Sequence, residues 1–173
     1  MLKGSVKLQI WGYAMNIKML VLDVDGTLTD GKIYIGSQGE LMKAFNVKDG
    51  LGIVKASSQH IVPVIITGRE SGIVEQRAKE LGLTEVHQGI KDKVTILREI
   101  ADRYNFDLKE LAYIGDDEND IESMKLCGLV GCPADAADSV VEIADFVCKR
   151  NGGEGAVREF IEYLLLVNNK EVR

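Results

Sequence analysis

Residues 19–30 read Met19-Leu20-Val21-Leu22-Asp23-Val24-Asp25-Gly26-Thr27-Leu28-Thr29-Asp30. An apolar run ends here in two carboxylates two residues apart, followed by a Gly-Thr turn. Side chains two apart in a strand share a face, so Asp23 and Asp25 can converge where the strand ends. In open α/β sheets, ligands bind just beyond the carboxyl ends of the strands. The segment therefore predicts a divalent-cation site or proton and nucleophile chemistry, although an ordinary acidic turn would read the same way.

The composition indicates one globular domain. The 173 residues are 46% apolar and 28% charged, which is enough for a sizeable core. A net charge of −6 argues against a nucleic-acid partner, and no apolar run approaches the roughly 20 residues of a membrane span. The N-terminus lacks the apolar region of an export signal, and Cys127, Cys132 and Cys148 are interpreted as buried, reduced thiols. We therefore expect a cytoplasmic protein with no nucleic acid and no membrane among its partners.

Strand and helix patterns alternate from residue 17 to residue 148. This alternation predicts an α/β fold, a three-layer Rossmann-like parallel sheet with helices on both faces. We assign residues 1–16 to an N-terminal extension with a weak strand, and residues 17–173 to a single domain. Within that domain, residues 32–47 predict a β-hairpin insertion across a glycine-rich turn, and residues 156–167 a C-terminal helix.

The remaining elements follow from the same periodicities. Strands are predicted at residues 17–22, 61–66, 85–87, 111–114, 129–131 and 145–148. Helices are predicted at residues 49–58, 71–81, 92–104, 121–127 and 137–143. In the first of these helices, the expected buried set is Leu51, Ile53, Val54 and Ala56.

Polar clusters follow three of the predicted buried strands. They are Asp23 with Asp25, then Thr67, then Asp116 with Asp117. Since the carboxyl ends of parallel strands lie on one edge, these clusters should meet, and Lys93 lies near the start of the predicted helix 92–104 at the same edge. Carboxylates, a hydroxyl and an ammonium suit a phosphoryl group with Mg²⁺, because phosphoryl transfer depends on positioning and charge neutralisation. Taken alone, Lys93 would be interpreted as a solvated surface lysine and Thr67 as part of a turn.

The motifs resemble those of the haloacid dehalogenase superfamily of phosphohydrolases. They are Asp23-Val24-Asp25-Gly26-Thr27, Thr67, Lys93 and Gly115-Asp116-Asp117-Glu118-Asn119-Asp120, in the superfamily's order. Many members carry a cap domain after the first motif or between the second and third. Here the predicted elements use nearly all of residues 25–67 and 67–93, so we expect no cap domain.

The resemblance implies a role for each matched residue. Asp23 would attack phosphorus and form an aspartyl-phosphate, while Asp25 would serve as general acid and then general base. Thr67 and Lys93 would hold phosphate oxygens. Mg²⁺ would bind Asp23, the backbone carbonyl of Asp25, and Asp116.

Two further acidic residues would support this set. Asp117 and Asp120 would act through metal-bound water or by orienting Lys93. Asp120 could equally cap the helix that begins at Ile121, where a helix N-terminus favours negative charge.

Within the superfamily, the chain resembles the capless branch that includes phosphatases of 3-deoxy-D-manno-octulosonate 8-phosphate. The matching segments are Thr29-Asp30-Gly31, Val47-Lys48-Asp49-Gly50-Leu51-Gly52, Thr67-Gly68-Arg69-Glu70-Ser71 and Gly152-Gly153-Glu154-Gly155-Ala156-Val157-Arg158. The resemblance implies a Mg²⁺-dependent phosphatase of a small phosphosugar in lipopolysaccharide precursor synthesis. It further implies a homotetramer in which hairpins assemble centrally and a neighbour helps to cover each site.

The same resemblance places Gly26, Gly68, Arg69 and Asp49 among the substrate-binding residues. Related nonulosonate 9-phosphate phosphatases tend to have Glu where Arg69 stands, and an Arg suits a sugar carboxylate because its planar fork donates hydrogen bonds to two oxygens at once. A salt bridge between Arg69 and Glu70 or another nearby acid would also explain this residue.

Two other functions remain open at this point. One is a phosphatase acting on nonulosonate 9-phosphate or another small metabolite, and the other is a non-catalytic sugar-binding or regulatory relative. A binding-only protein would have no reason to keep Asp23, Asp25, Lys93 and Asp116 together, which favours an enzyme.

Overall fold

The computed structural model describes residues 15–169, so the predicted weak strand in residues 1–16 lies outside the described part of the chain. The strands are β1 (Met19–Leu22), β2 (Tyr34–Gly36), β3 (Gly39–Met42), β4 (Val62–Ile66), β5 (Glu85–His87), β6 (Leu111–Ile114), β7 (Leu129–Cys132) and β8 (Phe146–Val147). The helices are α1 (Val47–Ser58), α2 (Gly72–Glu80), α3 (Lys93–Tyr104), α4 (Ile121–Met124), α5 (Asp138–Ile143) and α6 (Ala156–Asn168). Most predicted bounds agree within two residues, and α4 is three residues shorter than predicted.

Six strands form one parallel sheet in the order β5-β4-β1-β6-β7-β8. Alternate residues of β1 face opposite sides: Leu20 and Leu22 pack in a core with α6, whereas Met19 and Val21 pack in a second core with α3. This alternation is the two-residue period of a strand with helices on both faces. The predicted three-layer α/β fold is confirmed, and the described residues include no inserted cap domain.

Pro63 lies inside the sheet at a position where its missing N–H is tolerated. It pairs with Leu20 of β1, while β5 joins β4 only from Val64 onward. The N–H of the preceding residue, Val62, points to β1 and donates to Lys18 O at 2.8 Å. Because successive residues of a strand point their N–H groups to opposite sides, the ring of Pro63 faces the side that β5 has not yet reached.

The hairpin insertion is a separate two-stranded antiparallel sheet of β2 and β3, as predicted. Its strands are shorter than the predicted range 32–47, since β2 begins at Tyr34 and β3 ends at Met42. Asn46 accepts a hydrogen bond from Lys48 N and caps α1, which begins at Val47. Val47 is therefore helical, a correction to the predicted hairpin bound.

The predicted buried face of α1 is correct at only two of its four positions. Ile53 and Ala56 are buried, but Leu51 is 61% and Val54 is 44% exposed. Helix α1 packs on β4 and α6, which cover one side of it and leave the other uncovered in the single chain.

The two ends of the described chain lie together. Met15 N donates to Val167 O at 3.2 Å, and Asn168 bonds both backbone groups of Ile17 at 3.0 and 2.8 Å. Among residues 15–169, no helix has the length and apolar character needed to cross a membrane.

Candidate active site

Asp23 lies at the exit of β1, between the carboxyl ends of β4 and β6. Its N–H donates to Ile114 O at 3.1 Å, which extends the ladder by one residue beyond the strand and holds Asp23 in line with it. The carboxylate is buried, and Asp23 Oδ1 lies 2.6 Å from Lys93 Nζ. The structure thus brings together Asp23 and Lys93, which are 70 residues apart in the chain.

Lys93 is the first residue of α3, whose N-cap Asp92 accepts from Thr95 N. The Lys93 ammonium lies between Asp23 Oδ1 at 2.6 Å and Asp120 Oδ1 at 2.7 Å. Burial lowers the pKa of Lys93, but the charges of Asp23 and Asp120 outweigh it and leave the pKa above its usual value. Lys93 is therefore a charged, buried group and not a solvated surface lysine.

Asp120 orients Lys93 and makes no cap bond to α4. Its Oδ1 also accepts from the Tyr113 hydroxyl at 2.8 Å, and its Oδ2 accepts from the N–H groups of Asp116 and Asp117 at 3.3 and 3.4 Å. Four donors therefore hold one buried carboxylate. Tyr113 was not singled out in the sequence, where the only signal was a hydroxyl in an otherwise apolar buried strand.

Asp117 has a different environment from Asp120. It is exposed, and its side chain accepts from Glu118 N at 2.8 Å, which caps the 3-10 turn of Glu118–Asp120. Among the described residues, Asp117 makes neither a hydrogen bond nor an ion pair with Lys93, whereas Asp120 is paired with it.

Asp116 is held beside the glycine of the first motif. The Thr27 hydroxyl donates to Asp116 Oδ1 at 2.9 Å. Gly26 has φ of +95°, and a Cβ atom there would overlap the Asp116 carboxylate. Gly26 is therefore required both for the turn and for the close approach of Asp116. The sequence motif includes Thr27, but the motif alone predicts no role for it.

Asp23, Asp116 and Asp120 form a carboxylate cluster in which one oxygen of each lies within 4.8 Å of the others. Burial and the charge of Asp120 raise the pKa of Asp23 to about 7. Burial, together with the charges of Asp120 and Asp117, raises the pKa of Asp116 to about 6, although the hydrogen bond from Thr27 lowers it. A hard divalent cation would stabilise the ionised form of these buried carboxylates. Asp120 is already bonded to Lys93 and Tyr113, so Asp23 and Asp116 are the residues that would bind the cation.

Asp25 has a cation near each of its two carboxylate oxygens. Lys43 Nζ donates to Asp25 Oδ1, and Arg69 Nε lies 3.8 Å from Asp25 Oδ2. The acid beside Arg69 is therefore Asp25 and not Glu70. The Arg69 side chain is 45% exposed and lies at the mouth of the site with exposed Gly68.

Thr67 follows β4 at the same edge and is buried. Its N–H donates to His87 O at 2.9 Å, and its carbonyl accepts from Ile90 N at 3.0 Å. The segment after β5 thus fixes the backbone of Thr67 beside β1.

Asp49 bonds the start of α6. It is buried in α1, and its Oδ1 accepts from Arg158 N at 2.7 Å in the first turn of α6. The N-cap residue of α6 is Gly155, which has no side chain, so Asp49 provides the cap from another helix. Burial raises the pKa of Asp49 despite this bond. The predicted role of Asp49 in substrate binding gains no support from this placement.

A family model for haloacid dehalogenase-like hydrolases matches residues 83–161. Over 167 residues, 96% of this chain and 89% of the relative, the chain is 42% identical to the 3-deoxy-D-manno-octulosonate 8-phosphate phosphatase of Escherichia coli (strain B / BL21-DE3). The crystal structure of the phosphatase of the same name from Yersinia pestis is 42% identical, with a TM-score of 0.87 over 90% of this chain and 84% of that one. The Moraxella catarrhalis phosphatase, solved in complex with magnesium ion, phosphate ion and KDO molecule, is 39% identical, with a TM-score of 0.86 over 90% and 89%.

Proposed function

The chain belongs to the 3-deoxy-D-manno-octulosonate 8-phosphate phosphatase family of the haloacid dehalogenase superfamily, and we propose that it hydrolyses this phosphosugar to the free sugar and phosphate with Mg²⁺ as cofactor. The observation that carries the proposal is the buried Asp23 carboxylate, paired with Lys93 and adjacent to Asp116. A nucleophile, a fixed ammonium and a cation-binding pair within one cluster are the parts that phosphoryl transfer needs. These groups lie in a chain that is 42% identical to a phosphatase over nearly its whole length.

The proposed reaction has two steps. An oxygen of Asp23 attacks phosphorus, the bond from phosphorus to the sugar oxygen breaks, and protonated Asp25 gives its proton to that oxygen. Asp25 then takes a proton from water while the water oxygen attacks the phosphorus of the aspartyl-phosphate. The bond from phosphorus to Asp23 breaks, which releases phosphate and restores both carboxyl groups.

The other predicted residues position the phosphate and the cation. Lys93 and Thr67 would hold phosphate oxygens, with Gly26 and Gly68 allowing close approach of the backbone. Mg²⁺ bound by Asp23, Asp116 and the Asp25 carbonyl would supply positive charge against the phosphoryl oxygens.

Arg69 is the proposed contact for the sugar carboxylate. Its guanidinium is partly exposed at the site mouth, and within the described part of the chain its one ion pair is a loose one, to Asp25 at 3.8 Å. The remaining N–H groups can therefore engage a carboxylate in the two-point geometry that arginine favours.

The test is phosphate release from a panel of phosphosugars, with Mg²⁺ and again with chelator. The panel contains octulosonate 8-phosphate, a nonulosonate 9-phosphate, a hexose 6-phosphate and phosphoglycolate. We expect a strong, metal-dependent preference for the octulosonate. Broad, weak activity would support a phosphatase but reject octulosonate 8-phosphate as its substrate. If folded, metal-binding protein releases no phosphate from any ester, a binding-only relative is favoured.

We further propose a cytoplasmic homotetramer. The three cysteines are free and buried, which suits a reducing compartment. Large apolar side chains are exposed on the hairpin region and on α1, namely Ile33, Tyr34, Ile35, Leu41, Met42, Val47, Leu51 and Val54. An apolar surface of this extent supports burial against other copies of the chain. Native mass measurement tests this, and Leu41→Glu with Leu51→Glu should yield monomers; an unchanged mass would exclude this surface.

A further inference from the structure

Lys43 is a buried ammonium in the hairpin region that lies outside the predicted site. It follows the last residue of β3, and only 1% of its side chain is exposed. In the sequence it stands between Leu41-Met42 and Ala44-Phe45, a lone cation in an apolar run. Burying an ammonium costs free energy unless it is paired, so the partners of Lys43 indicate its function.

Two carboxylates hold the Lys43 ammonium. One is Asp25 Oδ1, and the other is Glu40 Oε1 at 3.1 Å. Glu40 is held in turn by the hydroxyl of Ser71, the residue whose side chain caps α2. The hairpin is therefore bonded to the catalytic edge at Asp25 and to the start of α2 at Ser71.

This network fixes the Asp25 carboxyl from the side opposite Arg69. Lys43 engages Oδ1 by a direct hydrogen bond, whereas Arg69 Nε is 3.8 Å from Oδ2, beyond hydrogen-bond distance. Glu40 holds the Lys43 ammonium on its other side, so the hydrogen bond from Lys43 fixes the direction of the Asp25 carboxyl. Oδ2 is left as the oxygen without a direct hydrogen bond from either cation, on the side of the partly exposed Arg69.

We propose that Lys43 is a positioning residue for the leaving-group step, holding the Asp25 carboxyl in the orientation from which it delivers its proton to the departing oxygen. This inference rests on the proposed phosphatase function. It gives the hairpin a part in the chemistry as well as in assembly.

The experiment measures kcat/KM for a series of phosphate monoesters that runs from p-nitrophenyl through phenyl to alkyl and sugar leaving groups. kcat/KM reports the steps up to cleavage of the ester bond, and p-nitrophenolate departs without protonation. Lys43→Met removes the ammonium but keeps an unbranched stem. Lys32→Met is the matched control, because Lys32 is a hairpin-region lysine with a 70% exposed side chain, and its one ion pair among residues 15–169 is with Asp30.

We expect Lys43→Met to lower kcat/KM for alkyl and sugar phosphates by about 10–100-fold, part of the contribution of a general acid. The value for p-nitrophenyl phosphate should fall by less than about threefold, since that ester does not use the general acid. Lys32→Met should leave the whole series unchanged. An equal fall for every ester, or no fall for any, would overturn the proposal.

Glu40→Gln tests the same network where Lys43→Met fails to fold. It keeps the ammonium and removes the negative charge of its second partner, so we expect a smaller loss with the same dependence on the leaving group. Uniform effects across the series would again reject the inference. Absence of octulosonate phosphatase activity in the unmutated protein would refute the proposed substrate instead, and the aryl and alkyl esters would still test Lys43.

Discussion

Asp23 is the residue on which the proposed covalent step depends. Asp23→Asn keeps the shape of the side chain and an oxygen that can accept from Lys93, but removes the nucleophile. We expect turnover to fall by more than about 1,000-fold, as it does when a covalent nucleophile is removed. Phosphate release and circular dichroism are the measurements. Near-normal turnover by folded Asp23→Asn protein would refute the aspartyl-phosphate mechanism.

Asp120 offers a test of how Lys93 is positioned. Asp120→Asn removes one of the two negative charges that hold the ammonium and replaces a carboxylate bound by four donors. We expect kcat/KM to fall by about 10–100-fold, a common cost of losing a group that orients a site residue. Glu122→Gln, an exposed carboxylate on α4 paired with Lys125, is the control and should have no effect. If both variants behave alike, Asp120 does not position Lys93.

At the scale of elements, α6 is joined to α1 by the carboxylate of Asp49. Asp49→Ala removes the only side-chain cap found for α6 among the described residues, whereas Asp49→Asn keeps an acceptor. We expect the alanine variant to lose about 1–2 kcal/mol of unfolding free energy and the asparagine variant much less. Chemical denaturation measures this, alongside KM. A raised KM with unchanged stability would instead support the predicted role in substrate binding.

The glycine-rich segment before α6 packs on the catalytic loop of its own chain. Gly153 N donates to Thr27 O at 3.1 Å, and a Cβ atom at Gly152 would overlap the Gly26 carbonyl. Deleting the chain from residue 152 would also remove α6, whose Phe160 and Ile161 are fully buried. Each such side chain contributes about 1.5–3 kcal/mol, a large share of the 5–15 kcal/mol typical of a whole domain. Truncation here would therefore unfold the protein and reveal little about substrate selection.

At the scale of the whole molecule, the carboxylate cluster couples stability to pH and to Mg²⁺. The pKa values of Asp23 and Asp116 are raised from 3.8 to about 7 and about 6, chiefly by burial. The folded form therefore binds these protons more tightly than the unfolded chain, and the metal-free protein loses stability as the pH rises from 3.8 toward 7. A bound cation opposes this loss, because it stabilises the ionised carboxylates.

We therefore expect Mg²⁺ to raise the melting temperature more at pH 8 than at pH 5. At a hundredfold excess over the dissociation constant, the rise at pH 8 should be about 5–10 °C. Thermal melts with Mg²⁺ or with chelator give the comparison, and Asp116→Asn should reduce the Mg²⁺ effect. Equal shifts at both pH values would mean that these two carboxylates do not control cation binding.

Local sequence patterns were sufficient for the sheet and for the nucleus of the site. The apolar runs that end at Asp23, Thr67 and Asp116 identify buried parallel strands, and the carboxyl ends of such strands must share an edge. Lys93 could be included because it begins the helix that starts at this edge. These inferences hold because strand periodicity, helix caps and the geometry of a parallel sheet are properties of short segments and of their order along the chain.

Contacts between distant segments were decided only by folding. The pairing of Lys43 with Asp25, the bond from Asp49 to α6, and the exposure of Leu51 on α1 have no local signature. Each depends on which surface another element covers, and a lysine, an aspartate or a leucine looks the same in the sequence whether it is covered or not. The physical reason is that burial and charge pairing are set by neighbours in space, and these are known only once the sheet, the hairpin and α6 have packed together.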